Sequence, residues 1–361
     1  MRLASVRLRN VGPFEDTTLR LTEPTKAAAQ PASEDEPLEA EAPRPLTVLF
    51  GADGIGKTTL LASLAVTRPG HAVPPVPMPR APGHDAPPAI VTEWSLGEDD
   101  PERPHPLVVA SPMLVLEGES AEAAAARRRE QALFDRRAQS EGGFVFVGFS
   151  GARWFSRAAS SLSVPERSIL RYDVRQATSF DDPTRADLTR ETKQVLAYAG
   201  IARALAADRM EYVHLTRFDA QLREVVDVML EPFGFSYVGV SPTSLEPEAR
   251  DRRGRVASLD ALPRAARHLV AFGALTMRAL FAAYPNDPRE REGVVAIDDI
   301  ESQQDPSMLR SILPLLRRAL PNVQWIVTTA STQLANACAP GEVIALRRNE
   351  ARLEVGEGVL H

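Results

Sequence analysis

The spacing of hydrophobic and polar residues along the chain predicts an α/β protein. Short apolar runs predict buried strands at 45–50, 144–149, 293–297 and 323–328. Helices are predicted at 59–65, at 118–139, two or three times within 187–233, and at 265–283. A further helix is predicted to start at Asp305 and Pro306, an N-cap residue followed by proline at the first helical position. Because strands flank both ends of the chain and helices lie between them, we expect one α/β core that carries long insertions.

Three pairs of short segments predict antiparallel β-hairpins. Leu3–Gly12 alternates apolar and polar residues like an edge strand and is expected to pair with 17–21. The other expected pairs are 89–96 with 107–110 and 343–346 with 353–355. The proline-rich stretches 24–45 and 69–88 contain few residues to bury, so we expect mobile loops there.

Composition narrows the class of protein. At 361 residues the chain is long enough for one large domain or two ordinary ones, and 44% hydrophobic residues suit a globular core. The net charge of −6 argues against a uniformly basic nucleic-acid-binding surface, although local basic patches are compatible with it. Cys338 is the only cysteine, which excludes a disulfide within the chain and a thiolate zinc site. No uncharged apolar run approaches the about 18 residues of a membrane span, so we expect a soluble cytoplasmic protein with no membrane contact.

The run from Gly51 to Thr58 fits the phosphate-binding pattern GxxxxGK[ST] without a mismatch. A predicted strand precedes it and a predicted helix follows it, which is the context that the motif requires. Glycines let backbone N–H groups turn towards a phosphate chain, and the helix N-terminus adds the positive end of its dipole. We therefore predict a nucleoside-triphosphate site, in which Lys57 contacts the β- and γ-phosphates and Thr58 binds Mg²⁺. The predicted nucleotide-contacting residues are Gly51, Asp53, Gly54, Ile55, Gly56, Lys57, Thr58 and Thr59.

A second motif complements the first. The apolar strand that ends at Ile297 runs into two carboxylates, Asp298 and Asp299. A P-loop protein needs an acid at the end of a strand opposite the loop, where it positions Mg²⁺ through the water shell of the ion. We predict this role for Asp298, with Asp299 as the candidate general base. Lys57 and Asp298 are too far apart in sequence for a compact RecA-like or Ras-like core, which favours a head with segments inserted between its two halves.

Five further stretches match motifs that occur together in one group of ATPases. They are Leu3–Leu21, Gly148–Arg153, Asp298–Glu301, Ser302–Asp305 and Val327–Ser331. With the phosphate-binding loop, they resemble the ABC-type ATPase heads of the RecF, SMC and OLD group, particularly its small stand-alone bacterial AAA-type members. The resemblance implies a P-loop fold with a mixed central sheet, an antiparallel β subdomain and an inserted helical subdomain. It also implies ATP and Mg²⁺ as ligands, and a second head or a paralogue as a partner.

The resemblance also implies a division of the chain. Residues 1–115 would form the N-terminal half of the head with the P-loop and the antiparallel β subdomain. Residues 116–250 would form a strand and the helical insert, and 251–361 the C-terminal half with the signature region, Walker B and the D-loop. Gln176 is a candidate for the Mg²⁺-sensing glutamine of such heads, as an addition to the predicted metal residues Thr58 and Asp298. Arg153 is expected to pair either with a nucleotide phosphate or with the two Walker B carboxylates.

Several motif positions depart from the pattern that such heads carry. Asp299 stands where the catalytic glutamate is expected and is one methylene shorter, and Ala330 replaces the strand-end histidine. The best match to the signature Leu-Ser-x-Gly-x-Arg is Leu262–Arg267, in which Pro263 replaces the serine and Ala265 the glycine. Losing one such polar stabiliser typically costs about 10²–10³ in rate. We therefore expect nucleotide binding to survive and hydrolysis to be weak or absent.

Two classes of function fit these observations. The first is a nucleotide-dependent switch or ATPase subunit in DNA maintenance or in defence against foreign DNA. The second is a non-catalytic module that docks an effector protein; a transporter ATPase fits less well because of the long insert. The arginines at 127–129, 136 and 137 predict either a solvated charged helix or a contact with DNA phosphates. A second arginine group, at 250–255, is expected in an exposed loop.

Overall fold

The computed structural model describes residues 1–22, 45–70, 87–103, 105–111, 114–164, 187–349 and 352–359. The predicted loops at 24–45 and 69–88 fall almost wholly outside these ranges, and Gln176 also lies outside them. The strands are β1 Arg2–Val11, β2 Phe14–Arg20, β3 Leu46–Phe50, β4 Ala89–Ser95, β5 Leu107–Ala110, β6 Phe146–Phe149, β7 Phe235–Val240, β8 Pro247–Asp251, β9 Val256–Ser258, β10 Gly293–Ile297, β11 Val323–Thr329, β12 Val343–Asn349 and β13 Arg352–Glu357. The helices are α1 Lys57–Val66, α2 Ala121–Ser140, α3 Thr189–Ala206, α4 Val213–Leu230, α5 Arg264–Ala283, α6 Leu309–Ala319 and α7 Thr332–Ala335.

A six-stranded mixed sheet forms the centre of the fold, in the order β13-β12-β3-β11-β10-β6. Its strands from β12 to β6 are parallel, and β13 pairs antiparallel with β12 as the predicted C-terminal hairpin. Strands β3 and β10, which precede the two candidate nucleotide motifs, each pair with β11, which lies between them. Because parallel strands present their carboxyl ends at one edge, this edge is where a ligand site is expected.

Both faces of the central sheet are buried, which explains why its strands are continuous apolar runs rather than alternating ones. Val295 and Ile297 belong to a core shared with helices α3, α4, α5 and α6. Val294 and Ala296, which point the other way, belong to a second core with α1 and the antiparallel strands. The central sheet therefore lies between a helical layer and a layer that combines α1 with a second sheet.

This second sheet is antiparallel and has the order β2-β1-β4-β5. Both predicted hairpins are present, since β1 pairs with β2 and β4 with β5. The expectation that the first strand lies at an edge was wrong, because β4 pairs with the free side of β1 and leaves β2 at the edge. Sequence alternation reports which faces of a strand are buried, but it carries no information on how many neighbours the strand has.

A third sheet, β7-β8-β9, was not foreseen. Arg250 lies in β8 rather than in an exposed loop, and the residues after it form the hairpin turn to β9. Asp251 stabilises this turn by accepting hydrogen bonds from the backbone N–H groups of Arg253 and Arg255. The strands are short and half exposed, so their apolar pattern is weak.

The helix predicted at Asp305 begins as a short 3₁₀ turn over Pro306–Met308, which continues into α6. The side chain of Asp305 caps it by accepting from the backbone N–H of Ser307 at 2.8 Å. Among the described residues, no helix is both long and apolar enough to cross a membrane.

One buried amide joins the two large sheets. The Gln324 side chain, on β11, is fully buried and bonds both backbone groups of Leu3 on β1. Its Oε1 accepts from Leu3 N at 2.6 Å, and its Nε2 donates to Leu3 O at 2.9 Å. The register of β1 against β4 shifts just after Leu3, so the Gln324 amide satisfies backbone groups at an irregular point of the sheet.

We expect Gln324→Met to lower the free energy of unfolding by about 2–5 kcal/mol, because two buried backbone groups lose their partners. Urea denaturation followed by circular dichroism measures this change. The matched control is Gln333→Met, since the hydrogen bond that the Gln333 amide donates to Pro306 O is solvent-exposed. Equal effects of the two substitutions would contradict a special role for Gln324.

Candidate nucleotide-binding site

The loop between β3 and α1 has the backbone conformation that a phosphate cradle needs. Gly54 and Gly56 adopt positive φ angles of 74° and 106°. At Gly56, a Cβ atom would lie 2.4 Å from Cγ of Pro13, so both conformation and space require glycine there. Gly51, at the start of the loop, donates its N–H to Thr329 O at the end of β11. The loop is therefore anchored to the neighbouring strand, and the cradle fits a phosphate chain.

Lys57 is the first residue of α1 and is buried, with 5% of its side chain exposed. Its Nζ donates to the carbonyls of Gly51 at 2.7 Å and Ala52 at 3.1 Å. Asp53 Oδ1 lies 3.7 Å from the same ammonium group, on a side chain that is 94% exposed. The P-loop thus holds the Lys57 ammonium group by two hydrogen bonds to neutral carbonyls. An ion pair with one solvent-exposed carboxylate adds to them.

The hydroxyl of Thr58 and the carboxylate of Asp298 are in direct contact. Thr58 Oγ1 donates to Asp298 Oδ2 at 2.7 Å, which joins the start of α1 to the end of β10. The other oxygen, Oδ1, accepts from Thr328 Oγ1 at 2.7 Å. Hydroxyl and carboxylate oxygens are ligands that Mg²⁺ prefers, so this pair fits the predicted metal residues. When bound, Mg²⁺ would supply charge neutralisation for phosphate oxygens there.

Asp299 lies beside this pair in a left-handed conformation, with φ of 43°. Burial raises the pKa of its carboxyl group above the ordinary value, and the negative charges of Asp298 and Glu301 add to the effect. Gly151 packs against both carboxylates, since a Cβ on it would lie 3.0 Å from Asp299 Oδ2 and 3.3 Å from Asp298 Oδ2. A raised pKa is a property of a group that accepts a proton, which suits the predicted candidate base.

Thr328 is a residue whose role sequence reasoning missed. It is fully buried on β11, and its hydroxyl both donates to Asp298 and accepts from the backbone N–H of Asp299 at 2.8 Å. The available signal was a threonine at the end of an otherwise apolar strand, in a stretch already singled out for the missing histidine. Its importance follows from the sheet order, which places β11 next to β10.

Ala330, which stands where a histidine is expected, makes a different contact through its backbone. Ala330 follows β11, and its backbone N–H donates to Glu301 Oε1 at 2.6 Å. Glu301 thereby ties the segment after β10 to the segment after β11. The other oxygen of Glu301, Oε2, is buried and has no hydrogen-bond partner in the part of the chain that is described. Ala330 itself offers no polar side chain to a phosphate.

The carboxyl end of β6 is the fourth strand end at the site, after those of β3, β10 and β11. Since β6 pairs with β10, Ser150 and Gly151 lie beside the Walker B carboxylates. The predicted metal contact of Gln176 falls outside the described residues.

The degenerate signature region lies at the start of α5. Pro263 is the N-cap residue and leaves the helix without a side-chain cap, and Ala265 is buried. Arg264 donates to Gln303 Oε1 at 2.7 Å, so the signature region contacts the D-loop segment within one chain. One turn further, His268 is fully buried, and its Nδ1 lies 2.8 Å from Arg264 O.

Solved structures with a similar fold include SMC heads. The SMC head domain from Thermotoga maritima is similar over 100% of both chains, with a TM-score of 0.50 and 13% identity. An SmcHead bound to the C-winged helix domain of ScpA covers 99% of this chain and 97% of its own, with a TM-score of 0.55 and 13% identity. The chain has the fold of an SMC-type ATPase head. A third such head, from Pyrococcus furiosus, has an extended coiled coil and is bound to the C-terminal domain of ScpA. It covers 99% of this chain and 96% of its own, with a TM-score of 0.52 and 13% identity.

Sequence comparison adds one relative for this head. The probable ATPase of retron Ec83 from Escherichia coli is 33% identical over 84 residues, which are 23% of this chain and 15% of that protein. No family model matches the chain. The expected fold, an ABC-type ATPase head with a mixed central sheet and an antiparallel sheet, is therefore confirmed.

We expect the stability of the head to fall as pH drops through the range of His268. Burial lowers the pKa of His268 to about 4, and the positive charges of Arg153 and Arg267 act in the same direction. The unfolded chain takes up this proton near pH 6.5, so between pH 6.5 and 4 it binds more protons than the folded chain and is favoured. This residue should cost about 2 kcal/mol between pH 7.5 and 5.

Urea denaturation at the two pH values measures this loss. His268→Gln removes the titrating group and should shrink the difference between pH 7.5 and 5 by that amount. An unchanged pH dependence in this variant would show that other groups cause it.

Proposed function

We propose that this head binds ATP with Mg²⁺ and hydrolyses it slowly or not at all, so that it acts as a nucleotide-dependent switch. The observation that carries the proposal is the contact between Thr58 and Asp298 at the end of a glycine-shaped P-loop. Two oxygen donors suited to Mg²⁺ meet beside a helix N-terminus and a buried lysine, which together favour a bound triphosphate. The head fold supports the same conclusion, because it is an ATPase fold.

Slow turnover follows from the groups that would act on the transition state. Asp299 keeps a carboxylate with a raised pKa but is short for a base, and Ala330 offers only a backbone N–H that already bonds Glu301. Pro263 removes a hydroxyl and a backbone donor at the surface that would meet a second head. Nucleotide binding without turnover still stabilises one state, by roughly 2.7 kcal/mol at a ligand concentration of 100 times Kd.

The proposed role is a switch or ATPase subunit in DNA maintenance or in defence against foreign DNA. Similarity to a probable ATPase of a retron supports an ATPase subunit, and a similar SMC head that binds a ScpA domain is compatible with a partner protein. On α2, Arg127 and Arg137 pair with Glu119 and Glu141, while other arginines of the helix are exposed. The alternative is a module that docks an effector without catalysis. Steep salt-sensitive DNA binding favours the first role, and stoichiometric capture of one protein without DNA affinity favours the second.

Titration with a fluorescent ATP analogue and Mg²⁺ tests the binding proposal. We expect saturable binding by the wild type and at least about tenfold weaker binding by Lys57→Ala, because the loop loses its phosphate-facing cation. Arg129→Ala, an exposed arginine on α2, is the control and should bind like the wild type. Absence of saturable binding by the wild type would contradict the proposal.

Single-turnover hydrolysis tests the part that concerns turnover. We expect a slow or undetectable rate in the wild type and a roughly 10- to 100-fold higher rate in Asp299→Glu, which restores the reach of a general base. Asp299→Asn, which cannot accept a proton, is the matched control and should give no increase. A fast, Lys57-dependent rate in the wild type would contradict slow turnover while leaving the binding proposal intact.

A further inference from the structure

Arg153, in the loop after β6, makes an unusual set of contacts. Its side chain is fully buried at the site, with 1% exposed. Its hydrogen bonds do not go to the Walker B carboxylates, one of its two expected partners, because each hydrogen bond that the described chain gives it goes to a main-chain carbonyl. The acceptors are Ser150 O at 3.0 Å, Asp298 O at 2.6 Å, Asp299 O at 2.7 Å, Ile300 O at 3.2 Å and Ser302 O at 3.1 Å.

Four of these five acceptors belong to one turn, the segment 298–302 that leaves β10. Within the turn, Asp299, which has φ of 43°, accepts one hydrogen bond at its carbonyl from Ser302 N at 2.8 Å, and Arg153 provides further donors to the carbonyls of the segment. The two terminal nitrogens donate to different carbonyls of the turn. Nη1 donates to Asp298 O, and Nη2 donates to the carbonyls that follow. A guanidinium group suits this task, since it presents several donors in a fixed planar fork.

The cost of burying this cation is offset locally. Burial lowers the pKa of Arg153 to about 10, whereas the charges of Asp298, Asp299 and Glu301 act against that shift. The group therefore stays protonated at neutral pH. Its guanidinium also lies 5.2 Å from the ring centroid of Phe272 on α5, in cation–π geometry. The positive charge thus lies behind a turn whose side chains carry three carboxylates.

Arg153 and the candidate metal position use different groups of the same turn. The carboxylate of Asp298 accepts from Thr58 and Thr328, while its main-chain carbonyl accepts from Arg153. Groups behind the direct ligands of a metal orient those ligands, and their loss typically costs about 10–100-fold in metal affinity. Here that supporting group acts through the backbone.

We propose that Arg153 is a positioning residue for the metal-dependent part of nucleotide binding. It fixes the backbone of 298–302 so that Asp298 and Asp299 face the metal position, and it contacts neither metal nor nucleotide. The inference rests on the proposed binding of MgATP. The inference distinguishes two contributions to the affinity for ATP. The P-loop and Lys57 bind phosphate without Arg153, whereas the increase in affinity that Mg²⁺ provides depends on Arg153.

Calorimetric titration with ATP in Mg²⁺ and with ATP in EDTA tests this separation. For Arg153→Lys, which keeps the charge but replaces the fork by one amine, we expect about 10- to 100-fold weaker binding of MgATP. Binding of metal-free ATP should stay within about twofold of the wild type, since the P-loop is untouched. Asp298→Asn is the positive control and should lose the same Mg²⁺-dependent gain.

Equal weakening of both forms of ATP, or an unchanged gain from Mg²⁺ in Arg153→Lys, would overturn the inference. If this variant does not fold, Phe272→Leu provides the second test. It keeps Arg153 but removes the ring against the guanidinium, and should weaken MgATP binding about two- to fivefold with no change for metal-free ATP. Absence of any nucleotide binding by the wild type would remove the proposed function as well, whereas Mg²⁺-dependent binding that ignores Arg153 would remove this inference alone.

Discussion

The hydrogen bond between Thr58 and Asp298 is the contact on which the site depends. It connects the first turn of α1 with the end of β10, two segments from opposite halves of the chain. The central sheet makes this contact possible because β3 and β10 are both parallel to β11 and end at the same edge. Any change in the spacing of these three strands would separate the hydroxyl from the carboxylate and dismantle the candidate metal position.

Supporting residues hold the acidic partner from two sides. Thr328 bonds the carboxylate of Asp298 and the N–H of Asp299, and Arg153 bonds the carbonyls behind them. Glu301 extends the arrangement to the end of β11 through Ala330 N. The turn after β10 is thus held by the loop after β6 and by the end of β11.

The motif residues that this chain lacks are all groups that would act on the transition state of hydrolysis. The cradle, the lysine and the oxygen donors are present, whereas the long carboxylate, the histidine and the signature serine are not. Ground-state binding of a phosphate chain needs only the first set, while acceleration of hydrolysis needs groups that act in the transition state. This division is the physical basis of our proposal that the head binds nucleotide without consuming it quickly.

Sequence by itself determined the P-loop, the Walker B strand and most elements of the central sheet, because glycine spacing and continuous apolar runs are local signals. It did not reveal β7–β9, whose short half-exposed strands have little pattern, or the second neighbour of β1. The roles of Thr328, Glu301 and Arg153 were decided only by the tertiary structure. Each acts on backbone or side-chain groups of a different strand end, and such contacts depend on the order of strands in the sheet, which no local pattern encodes.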